Sequence, residues 1–344
     1  MKNKVLMFLR VLVGISILLY VLATLQIGDP SVYSGKSIFA RLIHNIFLLV
    51  DRILLINKPL FILGLLLIVS SYFLSFARWY LLLKAHEILI PFKRVISLGF
   101  IGVLFNNVMP STVGGDVVKA YYATKDTSKR ATVVTTILVD RIIGMGSLLL
   151  ISVLVAPFYL TTKGLNDVAI VVLGLFAFAL ICFWLVLHPK LMEKISVFEK
   201  GKISGKLVKM YNALYYYKNK PKTIIIAVGL SLILQMLAIF VQYLLVIAMG
   251  YNDIHFLDFM LLIPAITFIC AIPISIMGWG IGEAAYKELL KLVAVPDVIS
   301  VGLSLITRMS MMVINLFGLP LYIMHKPADG LKEIENIIEK GGAE

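Results

Sequence analysis

The 344-residue chain is 60% hydrophobic and 15% charged, whereas ordinary soluble domains are ~45–50% apolar and ~25% charged. Its apolar residues fall in uninterrupted runs that a water-soluble core of this size could not hide, which excludes a soluble enzyme and makes the bilayer the solvent. Thirty-two Lys and Arg against nineteen Asp and Glu give a net charge of +13. That excess lies in loops rather than along an aromatic-studded groove, so it reports membrane topology and not nucleic acid.

A spanning helix needs ~20 apolar residues, and the segments follow in chain order. Residues 5–25 form a first span; the run with Val21-Leu22-Ala23 imitates a signal peptide, but the membrane segments downstream favour an uncleaved anchor. Residues 37–52 place apolar side chains at helical spacing among Arg41, His44 and Asp51, the pattern of an amphipathic helix on the membrane surface. Residues 59–83 span next, with Arg78, Trp79 and Tyr80 near the end of the span in the manner of an interfacial anchor. Residues 95–109 are a shorter apolar stretch running into Pro110, Ser111, Gly114 and Gly115. Spans at 131–156 and 164–187 follow. The connector 188–222 holds nine Lys and two Glu, which assigns it to the cytoplasm, and Tyr215, Tyr216 and Tyr217 mark the membrane boundary beside it. Beyond it come a span at 223–249, a second broken stretch at 256–276, a span at 298–324 and a tail at 325–344. Both termini come out cytoplasmic only if each broken stretch returns to the side it entered. The expected fold is an all-α polytopic membrane protein with six spanning helices and two re-entrant hairpins.

The halves 59–156 and 223–324 share one plan: a span, a broken hairpin and a span. The first break carries Asn106, Asn107, Pro110, Ser111, Gly114, Gly115 and Asp116; the second carries Pro273, Ser275, Gly278, Gly280, Gly282 and Glu283. Asp116 precedes Arg141 by twenty-five residues, and Glu283 precedes Arg308 by twenty-five. Each arginine sits ten residues into its predicted span, ~15 Å deep, where insertion scales put its cost at ~2.5–3.5 kcal/mol. The halves enter from opposite faces, so the plan is an inverted repeat, which places substrate at the midplane between discontinuous helices.

Irregular backbone at that depth must be buried in protein or line a watered cavity. The glycines permit tight turns, and each break ends at a helix N-terminus suited to an anion. Asp116 and Glu283 would repel a phosphate there unless neutralised, so they are read as orienting Arg141 and Arg308, which hold the anion. Lys119 and Lys287 share their acids' helix faces. Asp140 lies ~100° around the helix from Arg141, and its partner stays open between residues near Arg130 and the other hairpin. Cys182 and Cys270 lie inside apolar runs without metal-ligand spacing, and no two histidines are spaced as ligands. Gly278 to Gly282 imitates a dinucleotide loop but lacks its βαβ setting. No metal or cofactor is expected.

The strings Asn106 to Tyr121, Asp140-Arg141, Pro273-Ile274-Ser275 and Gly282-Glu283-Ala284-Ala285 resemble the transmembrane region of lysylphosphatidylglycerol synthases, also called flippase-like domain proteins, over nearly the whole chain. The resemblance implies a multi-pass protein of a bacterial or archaeal cytoplasmic membrane that moves lipid between leaflets. Where the family carries an arginine before the first glycine, this chain has Thr112 and Val113. Only residues 325–344 follow the last span, so no aminoacyl-transfer domain is expected. The reading is a translocator of a phospholipid or other phosphate-bearing lipid through a central polar cavity, with headgroup contacts from Arg141, Arg308, Asp116, Glu283, Lys119, Ser111, Gly114, Gly115, Ser275, Gly280 and Gly282. Pro110, Pro273, Asn106 and Asn107 shape the breaks. The alternatives are a transferase or accessory subunit in glycolipid or polyprenyl-linked sugar assembly, and a partner for a separate lipid-modifying enzyme.

Overall fold

The computed structural model describes residues 2–25, 37–107, 114–162, 164–187, 215–272 and 278–325. Among the described residues every regular element is helical. In chain order they are α1 (Lys2–Ala23), α2 (Ile38–Leu54), α3 (Lys58–Ala85), α4 (Phe92–Asn106), α5 (Gly114–Lys125), α6 (Arg130–Tyr159) and α7 (Leu165–Leu187), then α8 (Pro221–Ala248), α9 (Phe256–Ala271), α10 (Ile281–Lys291), α11 (Asp297–Asn315) and α12 (Gly318–His325). The connector at 188–214, the Met109-to-Val113 part of the first break, the Pro273-to-Ser275 part of the second and the tail beyond 325 lie outside the described residues.

Among the described residues, four stretches are long and apolar enough to cross a membrane: Lys58–Ala85, Arg130–Tyr159, Pro221–Ala248 and Asp297–Met324. Each agrees with a predicted span to within about three residues. Val11–Ala23, Leu165–Ile181 and Phe256–Ala271 are shorter apolar helices. The last long stretch is broken between α11 and α12, which the sequence reading treats as continuous. The reason is Pro320: it has no amide hydrogen, and its ring displaces the carbonyl four residues back, at Leu316, where the helix turns. In the two broken regions α4 has 15 residues and α5 has 12, while α9 has 16 and α10 has 11. At ~1.5 Å per residue none of these reaches across a ~30 Å hydrocarbon core.

The chain forms two compact units, one holding Met1–Ile68, Phe100–Val118 and Phe240–Glu344, the other Val69–Gly99 and Lys119–Ile239. The unit boundary runs through α3, α4, α5 and α8, so each unit draws on both sequence halves. In the first unit α2 folds back on α1 through Asn45, which is fully buried and donates to the carbonyls of Leu22 (2.8 Å) and Leu25 (3.1 Å). These carbonyls belong to the end of α1, which has no intrahelical donors of its own. The opposite face of α2 exposes Phe39, Phe47 and Leu54, as expected of a helix whose outer stripe meets lipid. The start of α3 is tied to the end of α8 by the Asn57 amide, which donates to Ala248 O at 2.8 Å.

In the second unit α3, α6 and α8 pack around Leu82, Val139 and Ala227, joined by Tyr217, whose hydroxyl donates to Leu82 O at 3.0 Å. Burial, and then the Asp140 charge, push the Tyr217 hydroxyl pKa up from its ordinary value. Gly99 on α4 leaves room for the Phe76 ring, which would overlap any Cβ there. The end of α3 closes in a Schellman turn: Glu87 takes φ +58°, its amide donates to Lys84 O, and the Ile88 amide reaches back to Leu83 O.

Replacing Asn45 with Ala removes two buried donors from helix-end carbonyls. The expected loss is about 1–3 kcal/mol, read as a lower thermal midpoint of the purified protein in detergent, whereas Ser37→Ala at the exposed start of α2 changes the midpoint less.

Candidate functional site

The second break is assembled in the first unit around one carboxylate. Glu283 stands in the first turn of α10 and is wholly buried. Its Oε2 accepts the Gly280 amide at 2.6 Å. Its Oε1 accepts the Ser304 hydroxyl at 3.0 Å and lies 2.9 Å from Nε of Arg308. The guanidinium also donates to Gly278 O at 2.9 Å, and its carbon lies 5.5 Å from the Trp279 ring centre. Arg308 is the twelfth residue of α11, ~16 Å along it, and its side chain is 15% exposed. A buried carboxylate with both oxygens engaged thus orients the guanidinium within α11.

The glycines follow from this geometry. A Cβ on Gly282 would overlap the guanidinium itself. Gly280 has φ +82°, and a Cβ there would strike the Gly14 carbonyl and lie 2.8 Å from Ile17 Cβ, so it admits α1 against the start of α10. Lys287, one turn beyond Glu283, pairs with Asp297 at 3.7 Å and meets the Thr24 hydroxyl at 3.4 Å.

The described part of the first break has a different plan. Asn106 Oδ1 accepts the Gly115 amide at 2.9 Å, capping the start of α5, and the bare Gly115 backbone packs on the Gly102 carbonyl where a Cβ would not fit. Asn107 donates to Met312 O at 3.0 Å and accepts from Asn315 at 2.7 Å, fastening this break to the end of α11 inside the first unit. Gly114 is buried and Asp116 half-buried. Pro110, Ser111, Pro273 and Ser275 lie outside the described residues.

The second unit contains an ion pair that the sequence reading did not foresee. Arg78 is 5% exposed; its Nε lies 2.7 Å from Asp140 Oδ1, and its Nη1 donates to Ser231 at 2.7 Å. Arg78 is therefore not an interfacial anchor, and Asp140 finds its partner on α3 rather than near Arg130. The signal was available, since Arg78 is the single basic residue in 59–83 and a buried acid beside Arg141 needed a cation on another helix. Gly144, one turn beyond Asp140, lies beside the Arg78 guanidinium, which a Cβ there would meet at ordinary van der Waals distance, and Gln235 donates to Gly144 O at 3.0 Å. Lys119 is buried with its ammonium 3.9 Å from the Trp79 ring centre, while the indole donates to Thr136 at 3.1 Å. Arg141 is half-buried on α6.

The two sequence halves make contacts at corresponding positions. In one half α3 reaches the residue just before the central arginine of α6 through Arg78 and Asp140. In the other half α8 reaches the residue just before the central arginine of α11: Thr307 donates to Gln242 at 3.1 Å. The cross-link is charged in the first half and neutral in the second. Arg141 and Arg308 each lie eleven residues after the first residue of their helices.

Long apolar helices, mid-helix arginines and two glycine-acid helix starts define an integral membrane protein with charged groups held inside its spans. The chain belongs to the family described as the lysylphosphatidylglycerol synthase TM region, which matches residues 7–318. It is also similar to the UPF0104 membrane protein MJ1595 of Methanocaldococcus jannaschii, with 25% identity over 193 residues, 51% of this chain and 57% of that protein. The chain thus matches little more than half the length of that relative. No solved structure matches it.

Removing one partner of the buried Arg78–Asp140 pair leaves an uncompensated charge. Asp140→Ala is expected to lower stability by about 3–5 kcal/mol, and the double variant Arg78→Met/Asp140→Leu to recover most of that loss, as measured by thermal unfolding in detergent.

Proposed function

We propose that the protein is a lipid translocator that moves a phospholipid or other phosphate-bearing lipid between leaflets. The observation that carries this reading is the Arg308 socket. A guanidinium deep in a span, oriented by Glu283 and Gly278, keeps 15% of its side chain exposed, and a planar fork matches phosphate oxygens. Arg141, at the same offset in the first half, acts as its counterpart on the headgroup.

In this reading α4–α5 and α9–α10 are re-entrant hairpins. They complete six spans with both termini in the cytoplasm, and the connector at 188–222 lies on the same side. The lipid tails stay in hydrocarbon while the headgroup passes the arginines, so the chain need not enclose the whole molecule. The family supports the reading to the extent that its name concerns a phospholipid-modifying enzyme's membrane region.

The test is reconstitution in liposomes with a phosphate lipid labelled in one leaflet. Arg308→Ala and Arg141→Ala are each expected to slow transfer at least tenfold, the effect of losing about 1.4 kcal/mol of charge-assisted binding, while Arg308→Lys retains part of the rate. Unchanged transfer in both alanine variants would remove the mechanism. Gly282→Ala, which displaces the guanidinium without deleting it, is expected to impair transfer as Arg308→Ala does and to leave Glu283 buried and paired with Ser304.

A further inference from the structure

At one end of the second unit several helix ends meet. Tyr80 of α3 and Phe92 of α4 stack with ring centres 5.3 Å apart. Arg94 pairs with Asp126 at 2.8 Å, Lys129 donates to His86 O at 2.9 Å, and the His86 ring lies 4.8 Å from that of Tyr216. Lys84 closes α3, Lys93 opens α4, Lys125 closes α5, Arg130 opens α6, and Lys218 and Lys220 precede α8; all six are exposed. The exposed acids among them are Glu87 and Asp126, and Arg94 already engages Asp126.

Among these cations stands Leu89, 86% exposed. It is no frayed end. The Schellman turn fixes the chain at Glu87, and Ile88 and Ile90 on either side are 2% and 3% exposed, so the extended backbone between them directs Leu89 outward. Phe92 beside it is 40% exposed. Basic loops follow from membrane orientation alone, but orientation does not explain a leucine held out among them. The 28 residues of α3 measure ~42 Å, the thickness of a bilayer with its headgroups, so its charged end lies at headgroup level.

We propose that this end of the second unit is a docking surface for lipids with anionic headgroups, with Leu89 and Phe92 seated at the headgroup–acyl boundary and the lysines and Arg130 engaging the phosphates. A protein partner is disfavoured because the ends of three membrane-length helices, α3, α6 and α8, bring this surface to the bilayer. The docking stands whether or not the chain moves lipid between leaflets.

The test uses the full chain in vesicles with Trp79 as the sole tryptophan (Trp184→Phe, Trp279→Phe). At equal mole fraction, energy transfer from Trp79 to pyrene-labelled phosphatidylglycerol is expected to exceed transfer to pyrene-labelled phosphatidylcholine about twofold at ~0.1 M salt. The excess should fade toward ~1 M salt as the Debye length drops from ~10 to ~3 Å, and Lys93→Gln/Lys218→Gln/Lys220→Gln should remove most of it. A solvatochromic dye on Leu89→Cys, with both native cysteines replaced by Ser, should report an apolar setting in the same vesicles. Equal transfer to the two lipids, or an excess that survives the triple substitution, overturns the proposal. So does a dye that reports water in vesicles but an apolar setting in native membranes, which would assign the surface to a protein.

Discussion

A guanidinium ~16 Å inside a span has no bulk water to solvate it, and the first unit is arranged around that fact. Arg308 is answered by Glu283, which is itself answered by the Ser304 hydroxyl and the Gly280 amide. Each of these contacts imposes a further condition. The Gly280 amide meets the carboxylate with φ +82°, a conformation that favours glycine. The guanidinium can lie across the start of α10 only because Gly282 has no side chain. Gly280 in turn is where α1 packs, and α1 is capped by Asn45 of α2. The satisfaction of one buried cation therefore reaches as far as the first two helices.

The second unit solves the same problem differently. Arg78 and Asp140 are both withdrawn from solvent and neutralise each other, with Ser231 taking a further donor. In hydrocarbon such a pair is more valuable for pinning helix rotation than for net stability, because desolvation of both charges offsets most of their attraction. The neutral Gln242–Thr307 contact at the corresponding place in the other half supports this view. The position calls for a polar bond between the helices, and the two halves meet that demand with different chemistry.

Much of this was legible in the chain. Membrane class, the long helices and the two Pro-Gly breaks follow from composition, run length and the Pro and Gly positions, all of which act over a few neighbouring residues. The twenty-five-residue spacing from acid to arginine singled out Glu283 and Arg308 because a repeated offset survives in sequence whatever the rotation of the helices. Facing is not legible in the same way: Arg78 has the sequence pattern of an interfacial anchor, yet it is buried against Asp140.

What the sequence determined alone was therefore the solvent, the helical class and the two Pro-Gly breaks, since these depend on local composition and on a fixed rise per residue, while the break before Pro320 was not among them. Which cation meets which anion was decided by the tertiary structure. A membrane helix is apolar around most of its circumference, so its pattern does not reveal its rotation, and each residue turns the helix by ~100°. Asp140 and Arg141 are neighbours in sequence, yet only the packing of α3 and α8 against α6 determines that Asp140 turns to Arg78 and leaves Arg141 on another face.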